Sequence, residues 1–278
     1  MDLLLHPISQ KRYDAYVKDM PQNILLVAPT GSGKETILTN LALTVLGDHP
    51  AGRLYELRAP EDKHSISIDV IRELKVSLRL KSDAHRVVLV PHAEDLTLEA
   101  QNSILKLLEE PPANVHFLLA VTKLGDVLDT IQSRTSVWRL TAPTKPQIEA
   151  YFKNYPSIQV TKALAIAEAR VGLITALLAD EQNHPLLYNI DIAKEILQES
   201  HFDRLIRVDA LSKDATQVRL LLEALALVCK AALDHAALKQ LQSVKQWHRR
   251  LTKVTQAQQE IADNVQAKLV LSHLFMVL

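Results

Sequence analysis

Residues Ala28–Glu35 read APTGSGKE and lie between an apolar run, Ile24–Ala28, and an amphipathic run, Lys34–Leu46. A strand, a glycine-containing loop and a helix in this order are the context that a phosphate-binding loop requires. In such a loop Gly31 and Gly33 let backbone N–H groups approach phosphate oxygens, and the lysine reaches the outer phosphates. The residues predicted to line a nucleotide site are Gly31, Ser32, Gly33 and Lys34.

The loop, and the strand that should carry the magnesium-binding carboxylates, both depart from the motifs of a working ATPase. Glu35 stands where Ser or Thr would hold magnesium. A carboxylate about 4 Å from a triphosphate, at an effective dielectric of ~20, would repel it by roughly 4 kcal/mol. The strand Val87–Val90, which should end in Asp and Glu, runs into Pro91 and His92, and these are poor magnesium ligands. We therefore expect no intrinsic hydrolysis. Two interpretations of the loop stay open, weak binding of ATP or ADP and an inherited loop that is empty or holds a stray anion.

Strand-like and helical runs alternate through the first half of the chain. The strand-like runs are Ile24–Ala28, Arg53–Leu57, Arg86–Val90, Val115–Val121 and Ser136–Leu140. The helical runs between them are Lys34–Leu46, Ile68–Leu80, Thr97–Glu110 and Leu124–Gln132. Such alternation predicts an α/β P-loop domain with a parallel five-stranded sheet and helices on both faces.

The strand pattern ends near Ala142, and the rest of the chain is predicted to be helical. We predict a P-loop domain over residues 1–142, a small helical region over 143–184 and a second helical domain over 185–278. Val218–Leu233 is apolar on nearly all sides, which predicts a buried helix. Lys245–Arg250 is expected to be a solvated helix face with one buried tryptophan, Trp247.

Composition restricts the class of protein. Of the 278 residues 47% are hydrophobic, and 32 Lys and Arg balance 32 Asp and Glu, which disfavours DNA binding by bulk charge. The one cysteine, Cys229, cannot form an internal disulfide, and the Cys and His residues lack zinc-ligand spacing, so no metal is predicted. Without a bilayer-length apolar run or a signal-peptide pattern, we expect a cytoplasmic protein that makes no membrane contact.

Three further motifs carry a resemblance to a known family. Val87–Pro112, VVLVPHAEDLTLEAQNSILKLLEEPP, resembles the clamp-loader family of AAA+ proteins. Phe117–Thr122 is similar to the strand that carries the family's first sensor, with Thr122 at the sensor position. Thr130–Thr135, TIQSRT, resembles the Ser-Arg-Cys motif, with threonine in place of cysteine. The resemblance covers most of residues 1–180. It implies an AAA+ domain, a helical lid over 143–184 and an oligomerising collar domain over 185–278.

The resemblance also implies a function within a ring of subunits. Arg134, with Ser133, would act in trans as an arginine finger on the ATP of a neighbouring subunit. The family's second sensor arginine falls near Thr175 and is lost here. The implied role is a non-catalytic subunit of the DNA polymerase III clamp loader. Its implied partners are tau/gamma-type and delta-type subunits, through the collar and AAA+ faces, with primer-template DNA contacted weakly or indirectly and the sliding clamp as a further candidate.

Three alternatives stay open at this point. The chain could be an autonomous DNA-dependent P-loop ATPase with an unusual metal site at Glu35, Glu94 and Asp95. It could be a structural homologue in another complex, in which Arg134 touches no nucleotide. Arg134 could also be an ordinary arginine at a helix end that interacts with the last carbonyl groups.

Overall fold

The computed structural model describes residues 3–47, 51–60, 65–79, 84–179, 184–263 and 265–278. The chain divides into two compact units, Met1–Tyr151 and Phe152–Leu278. The finer division into 1–142, 143–184 and 185–278 stays a prediction. None of the helices in the described ranges is both long enough and apolar enough to span a bilayer.

The first unit contains the predicted parallel sheet. Its strands are β1 (Asn23–Val27), β2 (Leu54–Glu56), β3 (Arg86–Val90), β4 (Val115–Val121) and β5 (Ser136–Arg139). Their order across the sheet is β2-β3-β4-β1-β5, and every pairing is parallel. The prediction of a five-stranded P-loop sheet is confirmed. Because all strands run the same way, the residues that follow β1, β3 and β4 meet at one edge of the sheet.

The described residues of the first unit form the helices α1 (Pro7–Lys18), α2 (Lys34–Leu46), α3 (Ile68–Arg79), α4 (Leu98–Glu109), α5 (Asp129–Gln132) and α6 (Lys145–Tyr151). The predicted end of α3 at Leu80 lies outside the described residues. Helix α1 has no counterpart among the predicted helices. Pro7 opens it, and the His6 Nδ1 atom caps it by accepting the Ile8 N–H at 3.2 Å.

The predicted helical run Leu124–Gln132 is interrupted in the structure. The structure has a short 3-10 turn over Leu124–Asp126, an extended Val127–Leu128 step and then the single turn of α5. The Gln132 side-chain amide donates to the Leu124 and Val127 carbonyls, at 3.0 Å each, and the Leu128 N–H donates to Gln101 Oε1 at 2.9 Å. These side-chain bonds satisfy backbone groups that a continuous helix would otherwise pair, so the break costs little.

Apolar side chains cover both faces of the sheet. One face packs against α3 and α4, with Phe117 and Ile104 fully buried. The other packs against α1 and α2, with Trp138 and Leu38 fully buried. Helix α1 is fixed by polar contacts as well, since the buried Ser9 Oγ accepts the Thr141 N–H at 2.9 Å.

The second unit is helical throughout its described residues, as the sequence predicts. Its helices are α7 (Ser157–Ala167), α8 (Val171–Ala179), α9 (Pro185–Gln198), α10 (His201–Leu211), α11 (Ala215–Leu238), α12 (Val244–Ala262) and α13 (Ala267–Val277). Helix α11 packs against α7, α9 and α12. Most of its apolar stretch is buried, although Lys230 is exposed. The prediction of a buried Trp247 is wrong, because its ring is partly exposed and stacks under the Arg250 guanidinium at 4.9 Å.

Cys229 lies in the buried face of α11, and desolvation by burial raises its pKa to about 11. At pH 8 only about one thiol in a thousand is then ionised, against about a quarter in an unfolded chain with a pKa of about 8.5. We therefore expect a thiol-specific reagent to leave the native protein unlabelled at pH 8 and to label the chain fully in guanidinium. Rapid stoichiometric labelling without denaturant would contradict this assignment. Because folding raises this pKa, the thiol's contribution to stability is lost as the pH rises above about 8.5.

Candidate functional site

The glycine-containing loop follows β1 and leads into α2 at the carboxyl edge of the sheet. Gly31 and Gly33 have φ values of 80° and 86°, in the left-handed region that disfavours residues with a side chain. No atom would meet a Cβ at Gly33 within 4 Å, so backbone conformation rather than space requires glycine there. The Ser32 N–H donates to the Pro29 carbonyl at 3.1 Å. The loop therefore has the strand–loop–helix geometry that its sequence predicts, with one of its backbone donors already paired.

Three side chains from neighbouring parts of the sheet edge meet beside this loop. Lys34 begins α2, Glu94 lies in the turn after β3, and Thr122 follows β4. The Lys34 Nζ atom donates to Glu94 Oε1 at 3.1 Å and to Thr122 Oγ1 at 3.0 Å. Thr122 Oγ1 donates in turn to the same Glu94 oxygen at 2.7 Å. The predicted sensor residue Thr122 thus lies next to the loop lysine, but a carboxylate of the same chain completes the cluster.

The carboxylate of Glu35 points to a different cation. It forms an ion pair with Arg58, and its Oε2 atom lies 3.9 Å from His92 Nε2. Desolvation by burial is the main cause that lowers the pKa of His92, so the ring is neutral at pH 7 and a weak partner for Glu35. The repulsion expected of Glu35 toward a phosphate is therefore partly compensated by Arg58.

The residues at this edge do not fit magnesium-ATP. Pro91 and His92 supply no carboxylate at the end of β3, and Lys34 is already paired. The metal site of the alternative ATPase is not assembled either, because Glu35 and Glu94 bind different cations. Over the ranges that the structure describes, no cluster of three or more His, Cys, Asp or Glu side chains could hold a metal ion.

Arg134 lies just after α5 and is about one-third exposed, with a relative side-chain accessibility of 34%. Its Nε atom donates to Glu109 Oε1 at 2.8 Å, and its Nη2 atom lies 2.5 Å from the same oxygen. Its Nη1 atom donates to the Thr130 carbonyl at 3.0 Å and to Ser133 Oγ at 3.2 Å. The predicted pair of Ser133 and Arg134 is therefore in contact, and the guanidinium lies on the surface against a carboxylate.

The structure adds one residue to this site, Asn23, which sequence reasoning missed. Its Nδ2 atom donates to the Arg134 carbonyl at 3.0 Å and to the Leu108 carbonyl at 2.9 Å. Asn23 opens β1, so these bonds join the start of the strand to the end of α4 and to the segment before β5. The chain separations are 85 and 111 residues, and no local sequence pattern signals contacts at that range.

The loop and Arg134 lie at opposite ends of the parallel strands, the loop at the carboxyl edge of the sheet and Arg134 at the amino edge. Asn23, which bonds the Arg134 backbone, begins β1, whereas the loop follows Val27 at the other end of the same strand. A five-residue strand extends about 13–16 Å. Arg134 therefore lies away from the loop of its own chain and toward the amino edge of the sheet.

The sequence of this chain is similar to those of several known proteins. A sequence model of the family described as "DNA polymerase III, delta subunit" matches residues 10–144. The chain is 29% identical over 168 residues to the DNA polymerase III subunit delta' of Haemophilus influenzae. That alignment covers 54% of this chain and 51% of the Haemophilus protein. The chain is 32% identical over 143 residues to the subunit of the same name from Yersinia pestis, covering 51% and 42% respectively. The chain thus spans about half the length of these relatives or somewhat less.

A solved structure extends the likeness of fold to the helical unit. A DNA polymerase III gamma subunit-related protein from Thermotoga maritima superposes with a TM-score of 0.57 and 18% sequence identity. The superposition covers 99% of this chain and 97% of that one. An AAA+ P-loop domain followed by helices is therefore shared along the whole chain. Together with the delta-subunit match over residues 10–144, these findings show that the first half of the chain is similar to DNA polymerase III subunits named delta', and that the chain as a whole has an AAA+ P-loop fold followed by helices.

Proposed function

We propose that this chain is a non-catalytic subunit of a DNA polymerase III clamp loader, of the delta-prime type, which contributes Arg134 to the ATP site of a neighbouring subunit. The observation that carries the proposal is that the chain's own loop and Arg134 lie at opposite ends of the parallel strands. At one edge the chain's own loop does not fit magnesium-ATP, since Lys34 is paired with Glu94. At the other edge a partly exposed arginine lies beyond the reach of that loop.

The chemistry of the arginine suits this role. A planar guanidinium can donate two parallel hydrogen bonds to phosphoryl oxygens, and it stabilises the negative charge that develops there during transfer. In the isolated chain Glu109 occupies the Nε and Nη2 side of Arg134. Both groups are partly exposed, and exposed ion pairs contribute about 0–1 kcal/mol. A neighbouring triphosphate can therefore replace Glu109 at small cost.

The proposed partners follow from the family. Relatives named DNA polymerase III subunit delta' suggest tau/gamma-type and delta-type subunits as neighbours in the ring, with the sliding clamp and primer-template DNA as weaker or indirect contacts. The helical residues 185–278 would form the collar that joins subunits. Replication places such a complex in the cytoplasm of a bacterium, and that location is part of the proposal.

The test is reconstitution with tau/gamma-type and delta-type subunits, followed by a native mass measurement and a clamp-loading assay on primed DNA. We expect a stable complex whose clamp loading requires this chain. We also expect the purified chain alone to show no ATP turnover above background, with or without primed DNA, because its loop does not fit magnesium-ATP. Brisk DNA-dependent hydrolysis by the isolated chain would instead favour the autonomous ATPase, and failure to join any such complex would favour a homologue from another assembly.

A further inference from the structure

The loop lysine, Lys34, is buried and already hydrogen-bonded within its own chain, which the sequence alone does not indicate. Its side chain is only 5% exposed, and two of its three ammonium hydrogens face Glu94 and Thr122. The Glu94 side chain is 14% exposed, so water screens the pair weakly. In a working phosphate-binding loop the same ammonium group reaches the outer phosphates of the nucleotide.

We propose that the Glu94 carboxylate takes the place of an outer nucleotide phosphate, so that the loop is an anion site already filled by the chain itself. Glu94 Oε1 accepts from both Lys34 and Thr122, as a phosphate oxygen held by a loop lysine and a sensor hydroxyl would. This inference goes beyond the role proposed for Arg134, because it concerns only the chain's own loop.

The second carboxylate oxygen of Glu94 adds to the repulsion that keeps a nucleoside phosphate out of the loop. The Oε2 atom is buried and has no hydrogen-bond partner among the described residues. A nucleoside phosphate entering the loop would therefore have to displace one carboxylate oxygen from Lys34 and approach another that no nearby hydrogen-bond donor neutralises. Glu35, by contrast, forms an ion pair with Arg58. Glu94, rather than Glu35, is then the main determinant that keeps nucleoside di- and triphosphates out of the loop.

The experiment uses the full chain and titrates it with ADP and, separately, with inorganic pyrophosphate by isothermal calorimetry. We expect the wild-type chain to bind either probe in the millimolar range or more weakly. Glu94→Gln keeps the shape of the side chain and a bond to Thr122 but removes the charge. It should tighten binding by about ten- to a hundredfold. Glu94→Ala repeats the test for the case in which the new amide still accepts from Lys34.

Three further variants make the result specific. Glu99→Gln removes the same charge from an exposed position in the first turn of α4 and should leave the affinity unchanged. Glu35→Thr should tighten binding less than Glu94→Gln does. The double variant Lys34→Met with Glu94→Gln should lose the gain, because no ammonium remains to hold the phosphate. Thermal melts confirm that each variant is folded.

Each outcome of these titrations counts for or against the proposal. A gain in Glu94→Gln or Glu94→Ala that requires Lys34 supports it. Tight binding of ADP by the wild-type chain would overturn it, and so would equal affinities for the wild-type chain and both Glu94 variants. The inference shares the Lys34–Glu94 contact with the proposed function. The titrations measure binding to this chain's own loop, whereas the ATPase and clamp-loading assays measure the effect of Arg134 on a neighbouring subunit, so the two proposals can fail separately.

Discussion

Replacing Arg134 by alanine is expected to lower DNA-stimulated ATP hydrolysis at the neighbouring subunit's site by a factor on the order of 10³, the lower bound for arginine fingers supplied in trans. The chain itself should stay folded, because the lost ion pair with Glu109 is partly exposed and contributes about 0–1 kcal/mol. The measurement is steady-state ATP turnover of the reconstituted complex with primed DNA. In a ring with several ATP sites, single-turnover experiments isolate the affected one.

Two further variants separate a phosphate contact from a general loss of charge. Arg139→Ala removes an exposed arginine at the carboxyl end of β5, the opposite edge of the sheet, and should leave turnover unchanged. Arg134→Lys keeps the charge but loses the planar fork of donors, so it should restore only part of the rate. If the Arg134→Ala complex turns over ATP at the wild-type rate, or if Arg139→Ala slows it equally, the role assigned to Arg134 is wrong.

Trp138→Ala is expected to lower the free energy of unfolding of the first unit by about 3–5 kcal/mol, the usual cost of truncating a fully buried aromatic side chain. Trp138 lies on β5, is 1% exposed and meets the Tyr16 ring edge-on at a centroid distance of 5.6 Å. Its removal opens a cavity between the sheet and α1. Urea unfolding followed by circular dichroism measures the loss.

The other tryptophan supplies the control for this experiment. Trp247 is partly exposed on α12 and stacks with Arg250, so Trp247→Ala should cost about 1 kcal/mol or less. Because the chain has two compact units, the transitions are assigned to each unit before the two variants are compared. Equal losses in both variants would show that burial does not distinguish the two sites.

Much of the first unit could be predicted because its signals are local. A short apolar run rich in β-branched residues, such as Val87–Val90, is typical of a strand that is buried on both faces of a parallel sheet. Gly31 and Gly33 indicate a loop with positive φ angles, because glycine adopts that conformation without steric cost. The Ser133–Arg134 pair could be singled out for the same reason, as a short motif in a recognisable context. Helix α1 could not be predicted in this way. Its buried residues Ser9 and Tyr16 contact partners more than a hundred residues away, so no local sequence pattern indicates their burial.

The sequence by itself determined the five-stranded sheet, the loop conformation and the loss of carboxylates after β3, since each depends on residues adjacent in the chain. Only the tertiary structure decided how the charges are paired. Lys34 meets Glu94 across 60 residues, and Arg134 meets Glu109 across 25 and Asn23 across 111. Parallel strands bring together residues that are distant in sequence, and electrostatic energy depends on distance in space, so the chemistry at the two sheet edges follows from strand order rather than from any one motif.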